Sequence, residues 1–386
     1  MNLFYNEDFL RENNALHTAK EIEQQPRLWK ETMEILQNNK EEITKFLSSL
    51  DLKNTKIIFT GAGTSEFVGN TLVPYLRETT NLDMESRATT DIVACPKAYI
   101  PQNKDVLLVS FARSGNSPES IAAVDVAEIV SDRVHHLFIT CNENGALAKK
   151  NLENSFTLLM PKDSNDAGFA MTGSFSCMLL SASVIFNLEN IDKIQAEVEE
   201  LAKATQANIE VTKPLLEEIV NIPTERVVFL GGGSLKGLAQ EASLKVLELC
   251  AGNIPVSFDT PMGFRHGPKS IVNSKTVIFN LVSQNDYQKK YDLDLIDELL
   301  RDQKAGAVIT LHGASDLNRE LEMKNIHVST QFCSENAVLK ALNYLVPCQM
   351  YAFMKSLEQN LTPDNPCPTG EVNRVVKGVT IHDYIG

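Results

Sequence analysis

The sequence predicts an α/β protein: two tandem copies of one parallel-sheet domain behind a helical N-terminal segment. Three observations carry this. Short apolar runs alternate with helix-like stretches across residues 51–190, with strand candidates at Ile57–Thr60, Val106–Ser110, Leu137–Thr140 and Phe156–Leu159. That rhythm is the mark of βαβ units and a parallel sheet. The same rhythm returns from about Arg226 to Val346. Landmarks also repeat at nearly one spacing. Gly61-Ala62-Gly63-Thr64 matches Gly231-Gly232-Gly233-Ser234, 170 residues on, and Leu137–Thr140 matches Val308–Leu311, 171 residues on. The strand before Ser110 matches Thr276–Leu281 with a similar shift. A near-constant offset argues for tandem duplication.

Taken in order, residues 1–50 read as helical. Leu28, Met33, Leu36, Ile43 and Leu47 fall near helical spacing with Lys and Glu between them. Pro26 marks a helix start or break, and the segment reads as a structural cap. Residues 51–190 form the first sheet domain. Residues 191–222 are a charged helical connector, and residues 223–361 the second sheet domain. The tail 362–386 begins rich in Pro and Asn and ends in GEVNRVVKGVTIHDYIG. Such a tail is ordered only where it docks.

Bulk properties narrow the function classes. A chain of 386 residues holds two proper cores. Its 43% hydrophobic and 22% charged content is that of a soluble globular protein. The net charge of −14 disfavours nucleic acid and anionic membrane surfaces as partners. It does not disfavour a small phosphorylated ligand, because local N–H donors outweigh a distant field. The 7 cysteines form no CxxC pair, so reduced core thiols and a cytoplasmic setting are expected. The start MNLFYNEDFLRENN has neither a basic nor an apolar leader region, and no secretory leader is expected. The longest apolar stretch, Cys177–Leu188, is too short to span a bilayer.

Two turns of the first copy carry chemistry. IIFTGAGTS (57–65) and LLVSFARSGNSPES (107–120) each read as a strand feeding a helix N-terminus. Backbone N–H groups and the helix dipole make such a place an anion site. Thr64, Ser65, Ser114 and Ser117 add hydroxyl donors. Ser117-Pro118-Glu119 taken alone is only a capped helix start. Two such turns at the carboxyl ends of neighbouring parallel strands are where ligands sit in open sheets. The second copy has Ser283-Gln284-Asn285-Asp286 in place of the SGNS turn, so a phosphate is expected on the first half only.

In the helix after Ser234, Glu241, Lys245 and Glu248 lie at i, i+4 and i+7 and share one stripe. The bland reading is a solvated face with a Glu–Lys pair. His266 stands in a loop bounded by Gly and Pro, Gly263-Phe264-Arg265-His266-Gly267-Pro268-Lys269. Imidazole there suits proton transfer near neutrality. No metal signature is present, and Gly231-Gly232-Gly233 does not complete a dinucleotide motif. No metal and no cofactor is expected.

The turns, with EASLKVLEL and FRHGPKS, resemble the sugar isomerase (SIS) family over roughly residues 35–386, as two SIS domains. The closing run GEVNRVVKGVTIHDY with SFARSGNSPES is similar to one branch of that family in amino-sugar catabolism. Members of that branch act on galactosamine 6-phosphate or tagatose 6-phosphate. The resemblance implies two three-layer αβα sandwiches of flavodoxin-like fold. It implies that Ser65, Ser114 and Ser117, supported by Thr64, hold the sugar phosphate. Arg113, where some relatives carry Gln, either adds a contact to the phosphate or points to solvent. Glu248 becomes the base that moves a proton between C1 and C2. Lys245 orients it or holds a substrate oxygen, and Glu241 supports from behind. His266 opens the sugar ring and reaches in from a neighbouring subunit, which implies a homodimer, or dimer of dimers, with shared active sites. Arg265 or Lys269 helps with the phosphate. Lys377 closes over the sugar, with Glu371 and Asn373 as further pocket residues.

The activity expected from the resemblance is deaminating isomerisation of galactosamine 6-phosphate to tagatose 6-phosphate and ammonia. A tagatose-6-phosphate ketose/aldose isomerase, or a deaminase of another amino-sugar phosphate, remains open, as does a non-catalytic sugar-phosphate sensor. The sensor fits least, because no basic recognition helix is seen and Glu248 and His266 have no purpose in it. A glutamine-dependent synthase needs a further N-terminal domain and is not expected.

Overall fold

The computed structural model describes residues 5–313, 325–330, 332–376 and 378–386, so Lys377 lies outside the described residues. The chain divides into two compact units. One comprises residues 27–166, 171–195 and 369–386, the other residues 1–26, 167–170 and 196–368.

The first of these units holds a five-stranded sheet of β1 (Lys56–Gly61), β2 (Met84–Ala88), β3 (Val106–Ala112), β4 (Val134–Thr140) and β5 (Ser155–Leu159). The order is β2-β1-β3-β4-β5 and every pairing is parallel. Because strand side chains alternate, β1 serves both faces. Ile58 packs with Leu108, Ala123, Val124 and Ala127, the last three on the helix Pro118–Val130. Its neighbour Phe59 turns the other way, stacking on Phe111 and meeting Phe186 edge-on. The sheet is thus covered on both faces, the condition for an all-parallel sheet.

The other unit repeats the plan with β6 (Arg226–Leu230), β7 (Val256–Asp259), β8 (Thr276–Leu281), β9 (Ala307–Gly313) and β10 (Asn325–Thr330). Its order, β10-β9-β8-β6-β7, is the first sheet's order read from the other end, again all parallel. β1 and β6 begin 170 residues apart, as do β3 and β8. Both sheets have the order of flavodoxin-like folds, with the topological switch between β1 and β3 and between β6 and β8.

Three strands have no counterpart among the sequence candidates: β2, β7 and β10. Each is an edge strand. β2 reads MESRA, with Glu85, Ser86 and Arg87 only partly buried, so no apolar run announces it.

The N-terminal 50 residues are not one element. They form the helices Glu7–Glu12, Leu16–Glu23, Gln25–Asn38 and Lys40–Ser48, and the division between units falls at Pro26. The helix Leu16–Glu23 lacks a cap of its own. Asp364, from the Pro/Asn-rich stretch, supplies it: its carboxylate accepts from His17 N at 2.9 Å and from Thr18 N at 2.7 Å. The connector is the single helix Ile191–Val220. Among the described residues no single helix is long and apolar enough to cross a membrane. In the apolar helix Gly173–Ile185 every residue is buried. Cys141, Cys177, Cys250 and Cys348 are buried free thiols, whereas Cys95 and Cys333 are exposed.

Candidate active site

In the first sheet, both serine-bearing turns stand at the β1/β3 switch. β1 ends at Gly61 and the helix Thr64–Thr80 follows at once. A Cβ at Gly61 would lie 2.4 Å from the Ser65 carbonyl carbon, so only glycine allows the chain to fold back this tightly. Gly63 caps the helix at φ +55°, a conformation side-chain-bearing residues rarely adopt. Thr64 and Ser65 are buried behind it, with Ser65 Oγ donating to Met171 Sδ at 3.9 Å. β3 leads through Arg113–Ser117 into the helix Pro118–Val130. Ser117 is its N-cap and Pro118 its first residue, as expected, but no side-chain capping bond forms. The Ser117 hydroxyl is therefore not committed to its own helix, and the orphan N–H groups of a helix start favour an anion there.

The turn is held from outside by residues the sequence reading missed. Asn142 Nδ2 donates to the Ser114 carbonyl at 2.9 Å. Asn116 Oδ1 accepts from Ala146 N at 2.9 Å, and Leu147 N donates to the Gly115 carbonyl at 2.9 Å. The loop after β4 thus clamps the serine turn. A further pair of hydroxyls, Thr60 and Ser110, sits in register near the ends of β1 and β3, buried and without a hydrogen-bond partner among the described residues. Arg113 does not reach solvent. It is buried, and its Nη2 donates to the Arg374 carbonyl at 2.7 Å. Arg374 in turn donates through Nε to the Asp166 carbonyl at 2.9 Å. The tail is thereby tied to the serine turn within one unit. Glu371 and Asn373 are exposed on it.

The second sheet closes the equivalent crevice with its own side chains. Gln288 lies against Gly232, where a Cβ would meet its Nε2 at 2.7 Å. Asn285 caps the helix Asp286–Asp302, its Oδ1 accepting from Tyr287 N and Gln288 N. Asp292 is buried and accepts from Ser283 N at 2.9 Å. A satisfied helix start beside a buried acid does not invite an anion.

Asp292 also makes a stability prediction. Burial pushes its carboxyl up from 3.8 to about 7. The folded state then holds a proton that the unfolded state releases, so stability falls as pH rises through this window. Asp292→Asn is expected to change little at about pH 4 and to stabilise at about pH 8, by up to roughly 4 kcal/mol. Thermal unfolding of both proteins at the two pH values checks this. An equal shift at both would remove the buried acid from the account.

In the second-sheet unit, the stripe on the helix Ser234–Leu249 is not a solvated face. Lys245 and Glu241 are fully buried, and Lys245 Nζ lies 2.6 Å from Glu248 Oε2 and 3.4 Å from Glu241 Oε1. The Glu248 side chain alone keeps 25% exposure. One buried ammonium thus serves a buried and an open carboxylate. Such a cation in a low-dielectric place holds the open carboxylate in one pose.

His266 stands on the loop after the short helix Pro261–Phe264, whose start is capped by Thr260. It is exposed, its N–H donates to the Gly263 carbonyl at 2.9 Å, and its ring has no hydrogen-bond or ion-pair partner among the described residues. It is not joined to Glu248 within the unit. Arg265 and Lys269 are engaged elsewhere. Both bind Glu298, Arg265 through Nε at 2.8 Å, and Lys269 also reaches Asp302 at 2.6 Å. Lys269 and Arg265 hold the Glu298 carboxyl below its usual range. Among the described residues no three His, Cys, Asp or Glu side chains gather as metal ligands.

Comparison with known proteins agrees with this anatomy. Residues 52–188 and 222–354 match the SIS domain model. The chain is 40% identical over 391 residues to a D-galactosamine-6-phosphate deaminase AgaS of Shewanella sp. (strain ANA-3), covering 100% of this chain and 96% of that protein. It is similar to a crystal structure from Clostridium novyi NT, provisionally assigned as a tagatose-6-phosphate ketose/aldose isomerase. There the TM-score is 0.94 and the identity 47%, over 99% of both chains. It is also similar to the tagatose-6-phosphate ketose/aldose isomerase of Escherichia coli. That match has TM-score 0.88 and 38% identity, over 96% of this chain and 97% of the other. With two matched regions on two sheets of one topology, the chain belongs to the SIS domain family.

Proposed function

We propose that this protein converts galactosamine 6-phosphate and water to tagatose 6-phosphate and ammonia. The observation that carries the reading is the buried Lys245 holding the partly exposed Glu248 carboxylate, in a chain whose full-length relative is named a galactosamine-6-phosphate deaminase.

Thr64, Ser65, Ser114 and Ser117 take the phosphate, and Arg113 shapes their turn through its bond to the tail. His266 moves a proton from the anomeric hydroxyl to the ring oxygen, opening the ring. Its exposed position, with no ring partner among the described residues, supports its use by a second copy of the chain, in a homodimer with shared sites. Glu248 removes the C2 proton of the open aldehyde, and the C–H electron pair forms a C1–C2 double bond as O1 takes a proton. Lys245 steadies Glu248 or O1, with Glu241 behind it, and Lys377 closes over the sugar. Reprotonation at C1 leaves an imine at C2. Water adds to C2, the C2–N bond breaks, and ammonia leaves with the ketose phosphate. Only proton transfers and water are needed, and the setting proposed is the cytoplasm.

A second reading, a ketose/aldose isomerase acting on tagatose 6-phosphate, is supported by the names of the solved structures above. One experiment separates them: ammonia release from galactosamine 6-phosphate, with glucosamine 6-phosphate and tagatose 6-phosphate in parallel. Ammonia from the galacto sugar is the expected result. Ammonia from neither amino sugar, with tagatose 6-phosphate consumed, favours the second reading. Binding without turnover of any of the three makes the protein a sensor.

A further inference from the structure

A cavity of about 470 Å³ in the first-sheet unit is walled on one side by Thr90, Val93, Ala94 and Glu119 and on the other by Val379–Tyr384 of the tail. Small-molecule sites commonly measure about 300–1,000 Å³. None of Thr64, Ser65, Arg113, Ser114 or Ser117 lines it, so it is distinct from the anion turns. Its walls are largely apolar, through Val93, Val379, Ile381 and Tyr384. Its ionisable groups are the acids Glu119 and Asp383 with His382, and among the described residues no Lys or Arg lines it.

Glu119 sets the chemistry. Its Oε2 is buried and has no hydrogen-bond partner among the described residues. An acid in the first turn of the helix Pro118–Val130 gains from the helix dipole. The dipole, however, supplies no donor to this oxygen. Glu119 itself lines the cavity, and a carboxylate short of donors there would gain from a charged donor in the cavity.

We propose that this cavity binds a small primary ammonium compound with a compact apolar body, its ammonium on Glu119 and its body against Val93 and the tail. The inference stands independently of the reaction proposed above.

Cyclohexylammonium is a suitable probe, titrated calorimetrically into the full-length protein beside cyclohexanol and cyclohexanecarboxylate. Saturable binding of the ammonium, at least about tenfold tighter than either analogue, is expected. Glu119→Gln is expected to weaken it by about tenfold or more, and Ala94→Trp, which fills the cavity, to abolish it. Ala94→Trp carries the test if Glu119→Gln does not fold. No saturable binding to the native protein overturns the proposal. So does affinity unchanged in both variants, or cyclohexanol bound as tightly as the ammonium.

Discussion

Glu248→Gln is expected to reduce kcat by about 10²- to 10⁴-fold, the usual loss when a positioned proton-transfer group is removed. The amide has nearly the same shape and still offers an oxygen to Lys245, 2.6 Å away in the native protein. Lys245 also keeps Glu241 at 3.4 Å. Little change in thermal stability is therefore expected. The inhibition constant for inorganic phosphate should stay within about twofold, because the serine turns proposed to hold the phosphate lie on the other sheet and do not use this carboxylate. The decisive comparison is kcat against phosphate inhibition in the same preparation. A variant that keeps more than about a tenth of native kcat would show that the base is elsewhere. Loss of phosphate affinity together with kcat would instead mean a folding defect.

The second large effect is on stability. Lys245→Met removes a fully buried ammonium and leaves Glu241, equally buried, without the cation beside it. Breaking a buried charge set by deleting one partner costs about 3–5 kcal/mol. For a domain of this size that corresponds to a fall in Tm of roughly 6–20 °C. Adding Glu241→Gln should return most of the loss, because the double variant buries no unpaired charge at that position. A single-variant Tm within about 2 °C of native would mean that the lysine does not balance buried charge. Failure of the second substitution to rescue would mean that packing of the lysine stem, not its charge, is what matters.

How much of this was legible beforehand depends on where the information lies in the chain. The strands β1, β3 and β4 were readable because both of their faces are covered, so nearly every residue is buried and each strand carries a continuous apolar run. The missed strands β2, β7 and β10 lie at sheet edges, where half-exposed positions accept Glu, Arg, Ser and His and the periodic signal vanishes. The turn residues were legible for a related reason. Gly61 and Gly63 are demanded by local backbone geometry, and local geometry writes itself into adjacent residues.

The stripe of Glu241, Lys245 and Glu248 was visible as a spacing, but its meaning was not. Periodicity alone reads it as a solvated face. Only the packing of the helix Ser234–Leu249 shows two of the three groups to be buried. The fate of Arg113 was likewise hidden, since its acceptor, the Arg374 carbonyl, is 261 residues away.

The sequence by itself determined the fold class, the duplication, the location of the serine turns and the family, because each rests on near neighbours in the chain or on a repeated spacing. The tertiary structure alone decided how the turn region of each copy is lined. Gln288 and Asn285 fill and cap the second one, whereas Ser117 leaves the first uncapped. It also decided that the lysine is buried between two acids and that the tail is bound to the serine turn. These outcomes depend on contacts between residues far apart in sequence, and on the desolvation that burial imposes, neither of which a local pattern of residue types records.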